Sequence, residues 1–254
     1  MLLTIDVGNT NTTLGVFRNG SLTHRWRLRT QRDQTEDEWG ILLRTLFALS
    51  GLDFAQIDGV AIASVVPPVD PVLAEATRDY FSCEPLFVNS TTDTGLRILY
   101  DNPAEVGADR IVNAAAAYHR WGGPAVVVDL GTAITFDVVS RHGEYLGGLI
   151  CPGLTMAVTG LFTKTARLPL VDVRKPEKLI GTSTVTSMRA GLYYGFVSMI
   201  EGILERLVEQ LGSDTRVIAT GGQASLIASG CRWIQHVDPD LTLEGLRLIW
   251  ERNR

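Results

Sequence analysis

Two short polar turns carry most of the chemistry this sequence could perform. The first is Asp6-Val7-Gly8-Asn9-Thr10-Asn11-Thr12-Thr13 and the second is Asp129-Leu130-Gly131-Thr132. Each follows a run of aliphatic residues. Glycine in such a turn allows a tight bend, and a tight polar bend aims backbone N–H groups outward into a concavity that suits phosphate oxygens. Asn9, Thr10, Thr12 and Thr13 add short polar side chains. A carboxylate beside phosphate is repelled unless a cation lies between them, so Asp6 predicts Mg²⁺, held directly or through water. A single turn of this kind is explained at least as well by a polar hairpin whose Asp closes an Asx-turn. Two of them, with Asp6 and Asp129 standing 123 residues apart in a chain of 254, favour a pair that clamps one polyphosphate.

Two further stretches fit the same chemistry. Thr220-Gly221-Gly222-Gln223 follows a predicted strand and opens a predicted helix, and its glycines would let a flat adenine or ribose approach the backbone. Gly107-Ala108-Asp109-Arg110 opens an alanine-rich helical segment. Phosphoryl transfer to an alcohol needs positioning, charge neutralisation and a carboxylate to accept the hydroxyl proton, and Asp109 is the candidate. Read by itself, Asp109 as a helix cap with Arg110 in a surface ion pair is the simpler account.

The elements that must position these groups repeat. Leu2 to Val7, Thr13 to Phe17 and Ser21 to Arg29 read as three strands, with Arg18-Asn19-Gly20 as a hairpin signal. Ala125 to Leu130, Ile134 to Val139 and Tyr145 to Ile150 repeat the pattern around Arg141-His142-Gly143. Helices are predicted over 36–50, 69–81, 109–121, 154–162, 183–211, 223–229 and 243–252. Further strands are predicted over 59–66, 85–89, 216–220 and 233–237. Strands mixed with helices in each half give an α/β protein, and Gly122-Gly123-Pro124 marks a boundary between lobes of residues 1–121 and 122–254.

Composition excludes several classes. Charged residues make up 20%, hydrophobic residues 45%, and the net charge is −5, which gives no basic surface for nucleic acid. The richest basic stretch, His24 to Arg32, reads as a solvated strand edge and loop. No apolar run approaches the roughly 20 residues that span a bilayer, and the start lacks a secretory pattern. Cys83, Cys151 and Cys231 are odd in number and without metal-ligand spacing, so packing in a reducing cytoplasm is expected, and no protein zinc site is.

The motifs then narrow to a family. In chain order, Asp6 to Thr10, Asp101-Asn102-Pro103, Gly107 to Arg110, Asp129 to Ala133, Gly147-Gly148 with Pro152-Gly153, and Thr220-Gly221-Gly222 resemble type III pantothenate kinase, within the actin, hexokinase and Hsp70 superfamily. The resemblance spans essentially the whole chain. It implies two duplicated RNase H-like, actin-like ATPase domains, each a mixed five-stranded sheet with helices, facing across a cleft. It implies transfer of the ATP γ-phosphoryl group to the 4′-hydroxyl of pantothenate, the first step toward coenzyme A. By the same resemblance Asp6, Val7, Gly8, Asn9, Thr10, Asn11, Thr12, Thr13, Thr132, Gly221 and Gly222 serve ATP, and Asp129 is tied to a monovalent cation, K⁺ or NH₄⁺. Tyr100, Gly107, Ala108, Asp109, Arg110 and Thr184 serve pantothenate, with Asp109 as catalytic base and Arg110 suited to its carboxylate. Thr184 competes with a helix N-cap role, and Tyr100 with that of a half-buried loop anchor. The apolar stripe between Ser183 and Leu211 reads by itself as core, and the resemblance implies that this helix forms a homodimer. The alternatives are another superfamily kinase, for a sugar or acetate, and a nucleotide-binding accessory factor for transcription without turnover.

Overall fold

A computed structural model describes residues 1–254. The strands form two mixed sheets, one of five strands and one of six rather than the expected five. The chain divides into two compact units, Met1–Ala116 with Asp240–Arg254, and Ala117–Pro239.

The first unit opens with strands β1 (Leu2–Val7), β2 (Asn11–Arg18) and β3 (Ser21–Arg29). Helix α1 (Glu36–Leu49), strand β4 (Gly59–Ser64), helix α2 (Asp70–Phe81), the short strands β5 (Leu86–Phe87) and β6 (Arg97–Ile98), and helix α3 (Ala108–Trp121) follow. The five-stranded sheet runs β3-β2-β1-β4-β5, with β1 antiparallel to β2 and parallel to β4. Period-two alternation sorts β1 between faces. Leu3, Ile5 and Val7 enter a core with Trp39, Leu43 and Phe47, whose four-residue spacing makes one stripe of α1. Thr35 starts α1 through a reciprocal capping box with Glu38.

The second unit repeats the plan. Its strands are β7 (Ala125–Leu130), β8 (Ala133–Val139) and β9 (Glu144–Pro152). Helices α4 (Leu154–Lys164) and α5 (Thr184–Leu211) come next, then β10 (Arg216–Thr220), α6 (Ala224–Ala228) and β11 (His236–Val237). The first five strands of its sheet run β11-β10-β7-β8-β9, the same permutation as β5-β4-β1-β2-β3. Val126, Val128 and Leu130 pack against Tyr193, Val197, Ile200 and Leu204 of α5.

Most predicted elements form within one to three residues of their expected bounds. The expected strands over 85–89 and 233–237 shrink to two residues each. The last helix, α7 (Leu241–Arg252), belongs to the first unit rather than to the second half of the chain. It lies over the face of β1, β2 and β4 opposite α1. A Cβ at Gly15 would stand 3.0 Å from Leu243 Cδ1, and one at Gly59 would overlap the Trp250 ring. Gly245 lets α7 press on α3: a Cβ there would sit 2.5 Å from the Val112 carbonyl oxygen. Thr242 Oγ1 donates to Asn113 Oδ1 at 2.7 Å across the same contact.

Alanine normally stabilises a helix interior by about 1 kcal/mol over glycine. At Gly245 the sign should reverse, because the obstacle is backbone rather than a movable side-chain tip. Gly245→Ala is expected to lose about 1–3 kcal/mol, read as a lowered urea midpoint; a raised midpoint would show that α3 and α7 have room between them.

Candidate active site

In the first unit the candidate groups gather where β1 and β4 end. Asp6 lies next to last on β1, level with Thr13 on β2 and Ala63 on β4. Directly opposite residues share a face, so Asp6 and Thr13 stand together on the α7 side of the sheet. Beyond Val7 the chain turns, and Gly8 N–H donates to the Asn11 carbonyl at 3.0 Å. A Cβ on Gly8 would stand 3.0 Å from that same oxygen. Asn9 and Thr10 form the exposed tip. Val7 points into the core, so only its backbone is available to a ligand.

Thr12 departs from its expected role as an outward donor. Its side chain is fully buried, and its hydroxyl meets that of Thr30 at 3.0 Å. Thr30 Oγ1 donates its single proton to the Gly8 carbonyl at 2.6 Å, so Thr12 is the donor to Thr30. Thr30 N–H also donates to the Thr10 carbonyl at 3.1 Å. One residue just beyond β3 thus pins the turn from beneath at two backbone points. Arg32 Nη2 donates to Asn9 Oδ1 at 3.1 Å and steadies the tip. Thr30 escaped the sequence reading because it carries no motif; only strand pairing brings it under Gly8.

Asp109 reaches the same end of the sheet. Val65 N–H donates to the Val7 carbonyl at 3.0 Å, and a Cβ on Gly107 would touch Val65 Cγ1 at 3.4 Å. Asp109 stands in the first turn of α3, and its Oδ1 accepts from the Arg110 backbone N–H at 2.8 Å. Burial raises its carboxyl above the usual aspartate range, while the hydrogen bond and the charge of Arg110 pull the other way. The Arg110 side chain is only 8% exposed, which sets aside a surface ion pair. Ala108 is buried and Tyr100 half-buried. A second carboxyl, Asp70 at the start of α2, is also raised by burial and hydrogen-bonds Ser64, the β4 neighbour of Val7.

The second unit builds a matching corner. Asp129 is next to last on β7, level with Thr135 on β8 and Thr220 on β10. Gly131 N–H donates to the Ala133 carbonyl at 3.1 Å, the counterpart of the Gly8 turn. Gly221, at φ +91, packs against this corner: any Cβ would overlap Asp129 Oδ1 and stand 2.7 Å from the Leu130 carbonyl carbon. Gln223 N–H then donates to the Leu130 carbonyl at 3.2 Å. Gly153, which opens α4, packs on the Thr132 backbone, and Thr132 and Gly222 are exposed. Contact with Asp129 and Leu130 by itself therefore requires glycine at 221.

Thr184 is exposed at the first position of α5, and the N-cap is Ser183, which forms the capping box with Thr186. The capping role that competed for Thr184 therefore falls to its neighbour. No three His, Cys, Asp or Glu side chains gather as a metal cage. Lone carboxylates at strand ends suit a hard cation that shares its remaining ligands with phosphate and water.

Against known proteins, the family model for type III pantothenate kinase matches residues 2–206. The chain belongs to the type III pantothenate kinase family. Within that family it is 56% identical to the type III pantothenate kinase of Solibacter usitatus (strain Ellin6076), covering 100% of this chain and 97% of the relative. It is 53% identical to that of Koribacter versatilis (strain Ellin345), over 100% and 96% of the two chains. Solved structures share the fold at low identity. Component A of the Acidaminococcus fermentans (R)-2-hydroxyglutaryl-CoA dehydratase matches with TM-score 0.57 at 12% identity over 100% and 99% of the chains. The inorganic polyphosphate/ATP-glucomannokinase of Arthrobacter sp. strain KM matches at 0.50 and 14% over the same shares. The fold shared with these structures is two α/β units with mixed sheets. The family implies ATP as co-substrate, with a divalent metal.

Removing the Thr30 hydroxyl should loosen the Gly8 turn. Thr30→Val is expected to weaken ATP binding about three- to tenfold by calorimetry, the worth of one lost hydrogen bond, with Thr30→Ser close to the parent. Equal affinity in Thr30→Val would mean that the turn holds its shape without the clamp.

Proposed function

We propose that this chain transfers the γ-phosphoryl group of ATP to the 4′-hydroxyl of pantothenate, yielding 4′-phosphopantothenate for coenzyme A synthesis. The observation that carries the mechanism is Asp109, a largely buried carboxyl with raised proton affinity at the sheet end that bears the Asp6 turn. In this reading the backbone amides of Asp6 to Thr13 and the outward side chains of Asn9, Thr10, Asn11 and Thr13 hold the triphosphate, while Val7 and Thr12 contribute through their backbone alone, with Thr132, Gly221 and Gly222 serving the rest of the nucleotide. Mg²⁺ bound near Asp6 would neutralise phosphate charge, and K⁺ or NH₄⁺ near Asp129 would do so from the second turn. Tyr100, Gly107, Ala108 and Thr184 line the acceptor site, and Arg110 holds the pantothenate carboxylate through a paired hydrogen bond. Asp109 accepts the 4′-hydroxyl proton as that oxygen bonds to phosphorus and the bond to the ADP oxygen breaks.

The protein works as a cytoplasmic homodimer in this reading. No helix is long and apolar enough to cross a membrane. Ile150, Met156, Phe162, Leu170, Leu179 and Ile180 remain exposed between β9 and α5, and apolar surface of this kind favours a partner. Sedimentation at micromolar concentration should give the mass of two chains; the mass of one would overturn the dimer.

With ATP, Mg²⁺ and K⁺, the purified chain should convert pantothenate to its 4′-phosphate, and folded protein that makes none contradicts the proposal. Asp109→Asn should lower kcat by about 10²–10⁴-fold while ATP binding persists. Parent-level turnover would remove Asp109 as the base. The base acts ionised, so kcat/KM should fall as pH drops through the Asp109 pKa, at a pH above the ~3.9 of an ordinary aspartate. The folded state holds this proton more tightly than the unfolded chain does. Ionising Asp109 therefore costs stability as pH rises, and Asp109→Asn should melt no lower than the parent at neutral pH.

A further inference from the structure

The edge strand β3 presents a row of arginines to the face that bears Asp6. Arg25, Arg27 and Arg29 pair with Gly15, Thr13 and Asn11 of β2, and Thr13 in turn pairs with Asp6. The intervening Trp26 faces the other way and stacks on Phe47 in the core. All three arginines are exposed, but they are not equivalent. Arg25 is bound to Asp240 at 2.9 Å, just before the start of α7. The α7 helix covers the sheet at Gly15, the level of Arg25. Arg27 and Arg29 lie farther along, level with Asp6 and with the turn, and the side chain of neither is held in a hydrogen bond or ion pair. Two strand spacings of about 4.8 Å put the Arg27 Cα roughly 10 Å from Asp6. The length of an arginine side chain closes most of that gap, over the small Thr13.

We infer that Arg27 and Arg29 flank the Asp6 turn and bind the phosphate oxygens of the nucleotide held there. This rests on the phosphoryl-transfer reading above. Guanidinium is the group best suited to phosphate: it is planar, permanently charged and able to donate two parallel hydrogen bonds. The Asp6 turn supplies neutral amides and one carboxylate, so a triphosphate there carries more negative charge than the turn can balance. Cations beside Thr13 and Asn11 supply the missing balance without adding a ligand to the metal. The same residues also serve an edge strand by discouraging pairing with another chain, and that role alone would leave nucleotide binding untouched.

Arg27→Gln keeps the apolar stem and removes the charge. It is expected to raise the KM for ATP about 10- to 100-fold, as for a lost charged hydrogen bond, and to leave the KM for pantothenate within about twofold. Calorimetry should show ATP binding weakened to the same degree with adenosine binding unchanged, since adenosine lacks the phosphates. Arg27→Lys should recover part of the loss, Arg29→Gln should show a smaller loss, and Arg25→Gln should lower the melting temperature without changing the KM for ATP. Parent-like ATP binding in both Arg27→Gln and Arg29→Gln overturns the inference, as does equal weakening of adenosine. A parent chain that binds ATP but does not phosphorylate pantothenate overturns the substrate assignment alone, because the ATP and adenosine arms still read the arginines.

Discussion

The register of a hairpin controls this protein. In each unit a buried strand ends on Asp-x-Gly, and the glycine N–H closes onto a carbonyl two or three residues later, Gly8 to Asn11 and Gly131 to Ala133. Because side chains alternate, the residue after each aspartate must enter the core, as Val7 and Leu130 do, and the aspartate must then face the other side. A slip of one residue in β1 would drive the carboxylate into the core and turn Leu3, Ile5 and Val7 toward the α7 side. The apolar residues that make the strand stable are therefore the same ones that aim Asp6 and Asp129.

Other features follow from supporting that register. Thr30 and Thr12 lock the first turn from the edge strand, and Gly221 closes against Asp129 in the second. The parallel neighbour β4 carries the chain to Val65, and Val65 ties the end of β1 to Gly107 and hence to Asp109. Burial that raises the Asp109 carboxyl thus arises from the packing that brings α3 to the strand ends. Family membership and this geometry agree on one chemistry, in which positioning and charge balance do most of the work.

Much was legible in the residues themselves. The two meanders were visible because an alternating or continuous aliphatic run, a glycine turn and an Asn-Gly or His-Gly turn are local signals read one strand at a time. Helices with a clear 3.6-residue stripe, such as Trp39, Leu43 and Phe47, were visible for the same reason. Less was legible where a position depends on a distant partner. The strand expected over 233–237 keeps only two paired residues, His236 and Val237, against β10. Thr12 looked like one more polar residue of a turn, yet its place on the β2 ladder turns it inward.

By itself the sequence determined the repeat, the aspartate at each strand end, and the family to which the chain belongs. Each of these depends on residues close together in the chain, or on their order along it. Tertiary structure decided that α7 returns to the first unit. Gly15, Gly59 and Gly245 leave room there for Leu243, Trp250 and the Val112 carbonyl, a fit among segments as much as 228 residues apart. It also decided that Arg25 is tied to Asp240 while Arg27 stands level with Asp6, since alternation on an edge strand gains meaning only once its neighbours are known. Local spacing sets which way a side chain points within its own element, and only packing sets what it meets.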